Sequence, residues 1–181
     1  MVLTKPVTAE ELERYAGDER YELIRGELVP MSPTSHPHGV LVFRLAMYLG
    51  IYIDQRGAGT AAAGEPGVVI ERDPDTVLAP DVFVMLSASG SLADTPPDFA
   101  RTMPDLVVEI FSESDRWPQV RRKIAMYFAA GVAHAWIVHP TDRSVTWMRA
   151  DGRQTIFTGS DVLDGGDLLL GFRLPLDTLF R

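Results

Sequence analysis

Hydrophobic residues in this chain fall mainly into short, unbroken runs. Ala79-Pro80-Asp81-Val82-Phe83-Val84-Met85-Leu86 and Pro104-Asp105-Leu106-Val107-Val108-Glu109-Ile110-Phe111 read as strands covered on both faces. Ala135-Trp136-Ile137-Val138 is a third such run, and Val145-Thr146-Trp147-Met148 pairs with it across Asp142-Arg143. Nearer the N-terminus, Tyr21 to Val29 reads as a hairpin turning at Arg25-Gly26. Thr60 to Ala63 and Val68 to Ile70 are strand-like, and Arg72-Asp73-Pro74-Asp75 turns the chain into the Asp81 strand. Gln154 to Phe157 and a tail ending in Leu174-Pro175-Leu176 complete the chain.

Helical spacing occurs in three places. Thr8 with Glu11 forms a capping-box start for a short acidic helix ending near Gly17. Ser32 to Gly39 is a loop of breakers containing His36 and His38, followed by an apolar helix from about Val40 to Gln55 that closes at Gly57. Ser112-Glu113-Ser114-Asp115 offers N-caps for a helix with Pro118 in its first turn and Gly131 at its end. Ser87 to Thr102, rich in Ser, Ala, Asp and Pro, reads as an exposed loop. Strands dominate, and two main helices interrupt them, which predicts an α/β (α+β) class with a mixed central sheet packed by helices and an N-terminal β-hairpin. No repeat or linker divides the chain, so residues 1–181 are expected to form one domain.

Composition narrows the function. With 46% apolar and 23% charged residues, the chain is ordinary globular material. The absence of cysteine excludes disulfides and thiolate metal sites. The first residues lack the apolar core of a signal peptide, and the longest apolar stretch, Val40 to Ile53, contains Arg44 and is too short for a bilayer. A cytoplasmic protein without a membrane partner is expected. The net charge of −8 argues against a broad basic nucleic-acid surface. Any contact with a phosphate backbone would be local, and Arg116, Arg121, Arg122 and Lys123 form the densest basic cluster. No Gly-x-Gly-x-x-Gly follows a strand and no Gly-Lys-Ser/Thr loop is present, which excludes a dinucleotide fold and a P-loop.

The chemistry lies in the apolar runs. An ionised carboxylate inside a covered strand costs several kcal/mol unless a cation, a metal or hydrogen bonds compensate it. Glu109, with Val107, Val108, Ile110 and Phe111 around it, is such a residue. Asp81 is a second, although it could be a plain strand-start aspartate, and Asp105 repeats its Pro-Asp dipeptide. On a helix of about 100° per residue, Lys123 lies about 60° from Val120, at the margin of a stripe that includes Ile124, Tyr127 and Phe128. Its ammonium either snorkels to water or enters a polar pocket beside the sheet. Asp81, Glu109 and the carbonyl of Ile110 suit Mg²⁺, or Mn²⁺ in its place, because such ions take a few carboxylates plus waters. Burial and the Asp81 charge are expected to raise the pKa of Glu109 against the lowering pull of Lys123. His36 and His38, just ahead of a helix, either assist with phosphate and protons or are polar surface.

Several segments together resemble a known family. They are Tyr21 to Leu28, Met31-Ser32-Pro33 with His38, Pro80-Asp81-Val82, Pro104 to Ser112, Lys123 with Tyr127, Gly131-Val132 and Trp136-Ile137-Val138. In this order they resemble the Uma family of restriction-endonuclease-like proteins, within the PD-(D/E)XK nuclease superfamily. The resemblance implies a restriction-endonuclease-like mixed sheet, a metal-binding Asp81 and an acidic partner Glu109, with Glu22 and His38 near the site. The superfamily usually places a lysine two residues after the second acid. Here Phe111 fills that slot, and the resemblance passes the lysine role to Lys123 on the following helix.

Three functions compete: a Mg²⁺-dependent endonuclease acting on DNA, a catalytically idle binding or regulatory protein that shares the fold, and a hydrolase of small phosphorylated molecules. A homodimer is expected.

Overall fold

The computed structural model describes residues 5–14, 19–87, 93, 95, 97–111 and 117–181. In chain order the elements are α1 (Ala9–Glu13), β1 (Tyr21–Ile24), β2 (Glu27–Pro30), α2 (His36–Arg56), β3 (Thr60–Ala63), β4 (Val68–Glu71), β5 (Thr76–Leu78) and β6 (Val82–Met85). They continue with β7 (Leu106–Ile110), α3 (Trp117–Ala129), β8 (His134–His139), β9 (Ser144–Arg149), β10 (Gln154–Phe157), β11 (Val162–Asp164), β12 (Arg173–Pro175) and α4 (Leu176–Leu179). The end of the first helix near Gly17 and the caps expected at Ser112 to Asp115 lie outside the described residues, as does Arg116.

The central sheet has six strands in the order β10-β9-β8-β7-β6-β3. Only β7 and β8 run parallel; the other neighbours are antiparallel. This makes the mixed sheet expected from the pattern, with α3 as the crossover that parallel pairing requires. Alternate residues of β6 and β7 supply two cores. Val82, Val84, Leu106, Val108 and Ile110 pack with Leu41, Leu45, Leu49 and Ile53 of α2. Phe83 and Val107 point the other way and pack with Ile124 and Tyr127 of α3. Burial on both faces is why these strands show no polar alternation.

A second sheet, β2-β1-β5-β4, lies beside the first. Its hairpin turns where expected: Arg25 and Gly26 both have positive φ, as a tight two-residue turn requires. A Cβ on Gly26 would also sit 2.3 Å from Pro6 Cβ, so the close approach of the N-terminal segment needs glycine there.

Two boundaries differ from expectation. The Arg72 to Asp75 turn leads into β5, a three-residue strand that the acidic, proline-containing turn conceals, and not directly into the Asp81 strand. The long helix starts at His36, four residues before Val40. Ser35 is its N-cap and Pro37 lies in its first turn, where a missing N–H costs nothing. His38 is therefore helical and buried. Among the described residues no helix is long and apolar enough to cross a membrane.

Candidate functional site

The site forms where the two sheets, α2 and α3 converge at the C-terminal end of β7. The register pairs Val82 with Val108, so Asp81, the next residue outward, stands across from Glu109 on the neighbouring strand. Asp81 is only 5% exposed. Its Oδ2 accepts the Ile110 N–H at 2.7 Å, and its Oδ1 lies 3.2 Å from His38 Nε2 in the first turn of α2. Phe111 donates its N–H to Val138 of β8. Because neighbouring residues of a strand present their backbone groups to opposite sides, the N–H and carbonyl of Ile110 both face β6 and Asp81.

Glu109 follows the alternation of Val107 and points toward α3. Its Oε1 accepts from Lys123 Nζ at 2.9 Å and from Tyr127 Oη at 3.1 Å, while its Oε2 has no hydrogen bond among the described residues. Lys123 also reaches Glu22 Oε1 at 2.8 Å and the Ala79 carbonyl at 2.9 Å. An ammonium has three protons, and each here has an acceptor. Glu22 arrives from β1 of the second sheet and also accepts the Ala79 N–H at 2.9 Å. The short Ala79–Asp81 link is thus fixed to Glu22 and Lys123 on one side and to His38 and Ile110 on the other.

The charges are crowded. Burial first, and then the Asp81 and Glu22 carboxylates, push the Glu109 carboxyl up to about 8 against the lowering pull of Lys123. Burial disfavours the Lys123 ammonium, but the Glu109 and Glu22 carboxylates outweigh this and hold it above the ordinary lysine range. Burial, followed by the Glu109 charge, also raises the Tyr127 phenol well above its usual range. Burial thus opposes the charge on Glu109, while Lys123 keeps its positive charge.

The structure brings together Asp81, Glu109, Lys123, Glu22, His38 and the Ile110 backbone. It separates Asp105, which lies before β7, at the opposite end from Glu109, and whose Oδ2 accepts the Leu86 N–H at 2.6 Å. His36 is exposed, as are Arg121 and Arg122. Polar surface describes His36 but not His38. Tyr127 is the site residue that sequence reasoning placed only in the core; its position one turn after Lys123, on the same stripe, was the available signal. Among the described residues no three His, Asp or Glu side chains are grouped to hold a metal ion. The available oxygens are two carboxylates and a carbonyl, a hard donor set of the kind that suits a cation keeping several of its waters.

Comparison with known proteins bears on the family and the fold. A sequence model of the Uma2 family, described as "Putative restriction endonuclease", matches residues 9–177. No curated protein sequence matches the chain. Among solved structures, the fold is similar to the crystal structure of a "putative nuclease belonging to DUF820" from Anabaena variabilis ATCC 29413. That similarity has a TM-score of 0.79 at 16% identity and covers 97% of this chain and 98% of that one.

Proposed function

The chain belongs to the Uma2 family, and on that premise we propose that it is a divalent-metal-dependent endonuclease that hydrolyses DNA phosphodiester bonds. One observation carries this reading: Asp81 and Glu109 directly flank the paired residues Val82 and Val108 of neighbouring strands, with the Lys123 ammonium 2.9 Å from Glu109. Asp81, Glu109 and the Ile110 carbonyl are the ligands that would hold Mg²⁺ or Mn²⁺. Such an ion supplies Lewis acidity toward a phosphoryl oxygen and lowers the pKa of a bound water.

The protein's own groups do the rest. His38 and the Ile110 N–H hold Asp81 in one orientation. Tyr127 and Lys123 hold Glu109 by Oε1, which leaves Oε2 as the atom that carries the proton or gives it up. Glu22 and the Ala79 carbonyl keep Lys123 charged beside Glu109, where it offsets negative charge developing on a phosphoryl group. Lys123 thereby takes the lysine role that Phe111 cannot.

The test is cleavage of supercoiled plasmid and of single-stranded DNA with Mg²⁺. Asp81→Asn and Glu109→Gln should abolish turnover, and Lys123→Ala should lower it by about 10²–10³, as for loss of one oxyanion donor. A parent protein that cleaves neither substrate would leave the idle scaffold. That second reading has one specific support: all three Lys123 protons already have acceptors, so the ammonium is satisfied without a ligand.

A homodimer is part of the proposal. The outward stripe of α2 carries Val40, Phe43, Met47 and Ile51, with Phe43 68% and Ile51 47% exposed. A helix apolar on all sides is normally covered. Antiparallel packing of two copies about Met47 sets Phe43 of each against Ile51 of the other, a self-complementary contact suited to two-fold symmetry. Light scattering should show a dimer for the parent and a monomer for Phe43→Lys.

A further inference from the structure

Beyond Glu109 the same sheet end carries three aromatic rings that the proposed reaction does not use. Phe111 directly follows β7, two residues past Glu109 and about 6.6 Å further along the strand. His139 ends the parallel neighbour β8, and Trp117 opens α3, the helix that carries Lys123. The Phe111 and Trp117 ring centroids are 6.0 Å apart, Phe111 and His139 5.9 Å, and Trp117 and His139 5.3 Å. These separations are those of mutually packed aromatic pairs. The cluster remains open to solvent: Trp117 is 39% exposed, whereas Trp136 and Trp147 are 0% and 3% exposed. Burial lowers the pKa of His139, so near neutral pH its ring adds aromatic surface without charge.

We propose that Phe111, Trp117 and His139 form a stacking platform for an unpaired nucleobase of the nucleic acid whose phosphate reaches Asp81 and Glu109. The inference deepens the nuclease reading and rests on it for the class of ligand. It commits the site to single-stranded or locally opened nucleic acid. A duplex keeps its base faces stacked and presents only their edges, so it offers such a platform nothing without the cost of extruding a base. Charge favours the same choice. At −8 the protein gains little from general phosphate attraction, whereas stacking on an aromatic ring tolerates any base and needs no basic surface. The platform also lies at the carboxyl ends of parallel strands, where open α/β sheets bind their ligands.

The test measures binding without turnover, with EDTA present and labelled oligothymidylate as the probe. Trp117→Ala should weaken single-strand binding about tenfold or more, since stacking contributes about 1–3 kcal/mol per base. Trp117→Phe should restore most of the affinity and Trp117→Leu should not, which separates stacking from simple packing. Oligothymidylate should also quench tryptophan fluorescence in the parent but not in Trp117→Phe, because the other two tryptophans are buried. Unchanged affinity in Trp117→Leu, equal losses for duplex and single strand, or no single-strand binding by the parent would each overturn the platform. Cleavage with an unaffected Trp117→Leu would remove this inference alone. Stacking without metal-dependent cleavage would remove the nuclease reading and keep the platform.

Discussion

Lys123 and Glu109 are bound to each other so closely that neither can be changed alone without consequence. Removing one partner of a buried ion pair costs roughly 3–5 kcal/mol, because the other charge is left in low dielectric. Lys123 retains 18% side-chain exposure, so Lys123→Met should cost nearer the lower end of that range. Glu109 can also take up a proton, and the double change Lys123→Met with Glu109→Gln should be less destabilised than the sum of the two singles. Denaturant melts of the four proteins would show this coupling; strict additivity would contradict the pairing. The Glu109 proton adds a pH dependence. Its folded pKa of about 8 exceeds the model-peptide 4.5, so the folded metal-free protein holds a proton that the unfolded chain releases. That contribution to stability is complete below pH 4.5 and is lost as pH rises through about 8. The melting temperature of the parent should therefore decline across this window more than that of Glu109→Gln. Metal-dependent cleavage should move the opposite way and rise through about pH 8 as the carboxylate becomes available.

At the scale of the elements, α2 holds Asp81 in place through its first turn. Ser35 caps that turn by accepting the His38 N–H at 3.4 Å. Ser35→Ala should cost about 1 kcal/mol as an ordinary cap loss. His38→Ala should cost about 1–3 kcal/mol, because it also leaves Asp81 Oδ1 without its partner, and it should reduce cleavage more than the cap change does. Equal cleavage in the two variants would show that His38 does not position Asp81. This first turn was hard to read from sequence. Pro33 and Pro37 punctuate it as a loop, although a proline near a helix start is compatible with the helix. The strands β6, β7 and β8 were legible because burial on both faces leaves continuous Val, Ile, Leu and Phe. β5 was not, since three residues after a proline turn carry no period. Asp81, Glu109 and Lys123 stood out because each breaks an apolar pattern. The meeting of Glu22 with Lys123 was not legible from spacing, because it joins two sheets through a contact between residues far apart in the chain.

For the whole molecule, the two sheets and two helices build one acidic site in a protein that is itself acidic. Three carboxylates at the site, Asp81, Glu109 and Glu22, outnumber the Lys123 ammonium, and a proton on Glu109 or a bound cation reduces the excess negative charge. The proposed function requires Asp81 and Glu109 to bind a divalent metal jointly. Calorimetric titration of Mn²⁺ into metal-free protein, above the Glu109 pKa of about 8, tests it most directly. The parent should show a single saturable site, lost in both Asp81→Asn and Glu109→Gln, and retained or tightened in Lys123→Met, where a competing cation is gone. Undiminished Mn²⁺ binding by Asp81→Asn, or no saturable binding by the parent, would contradict it.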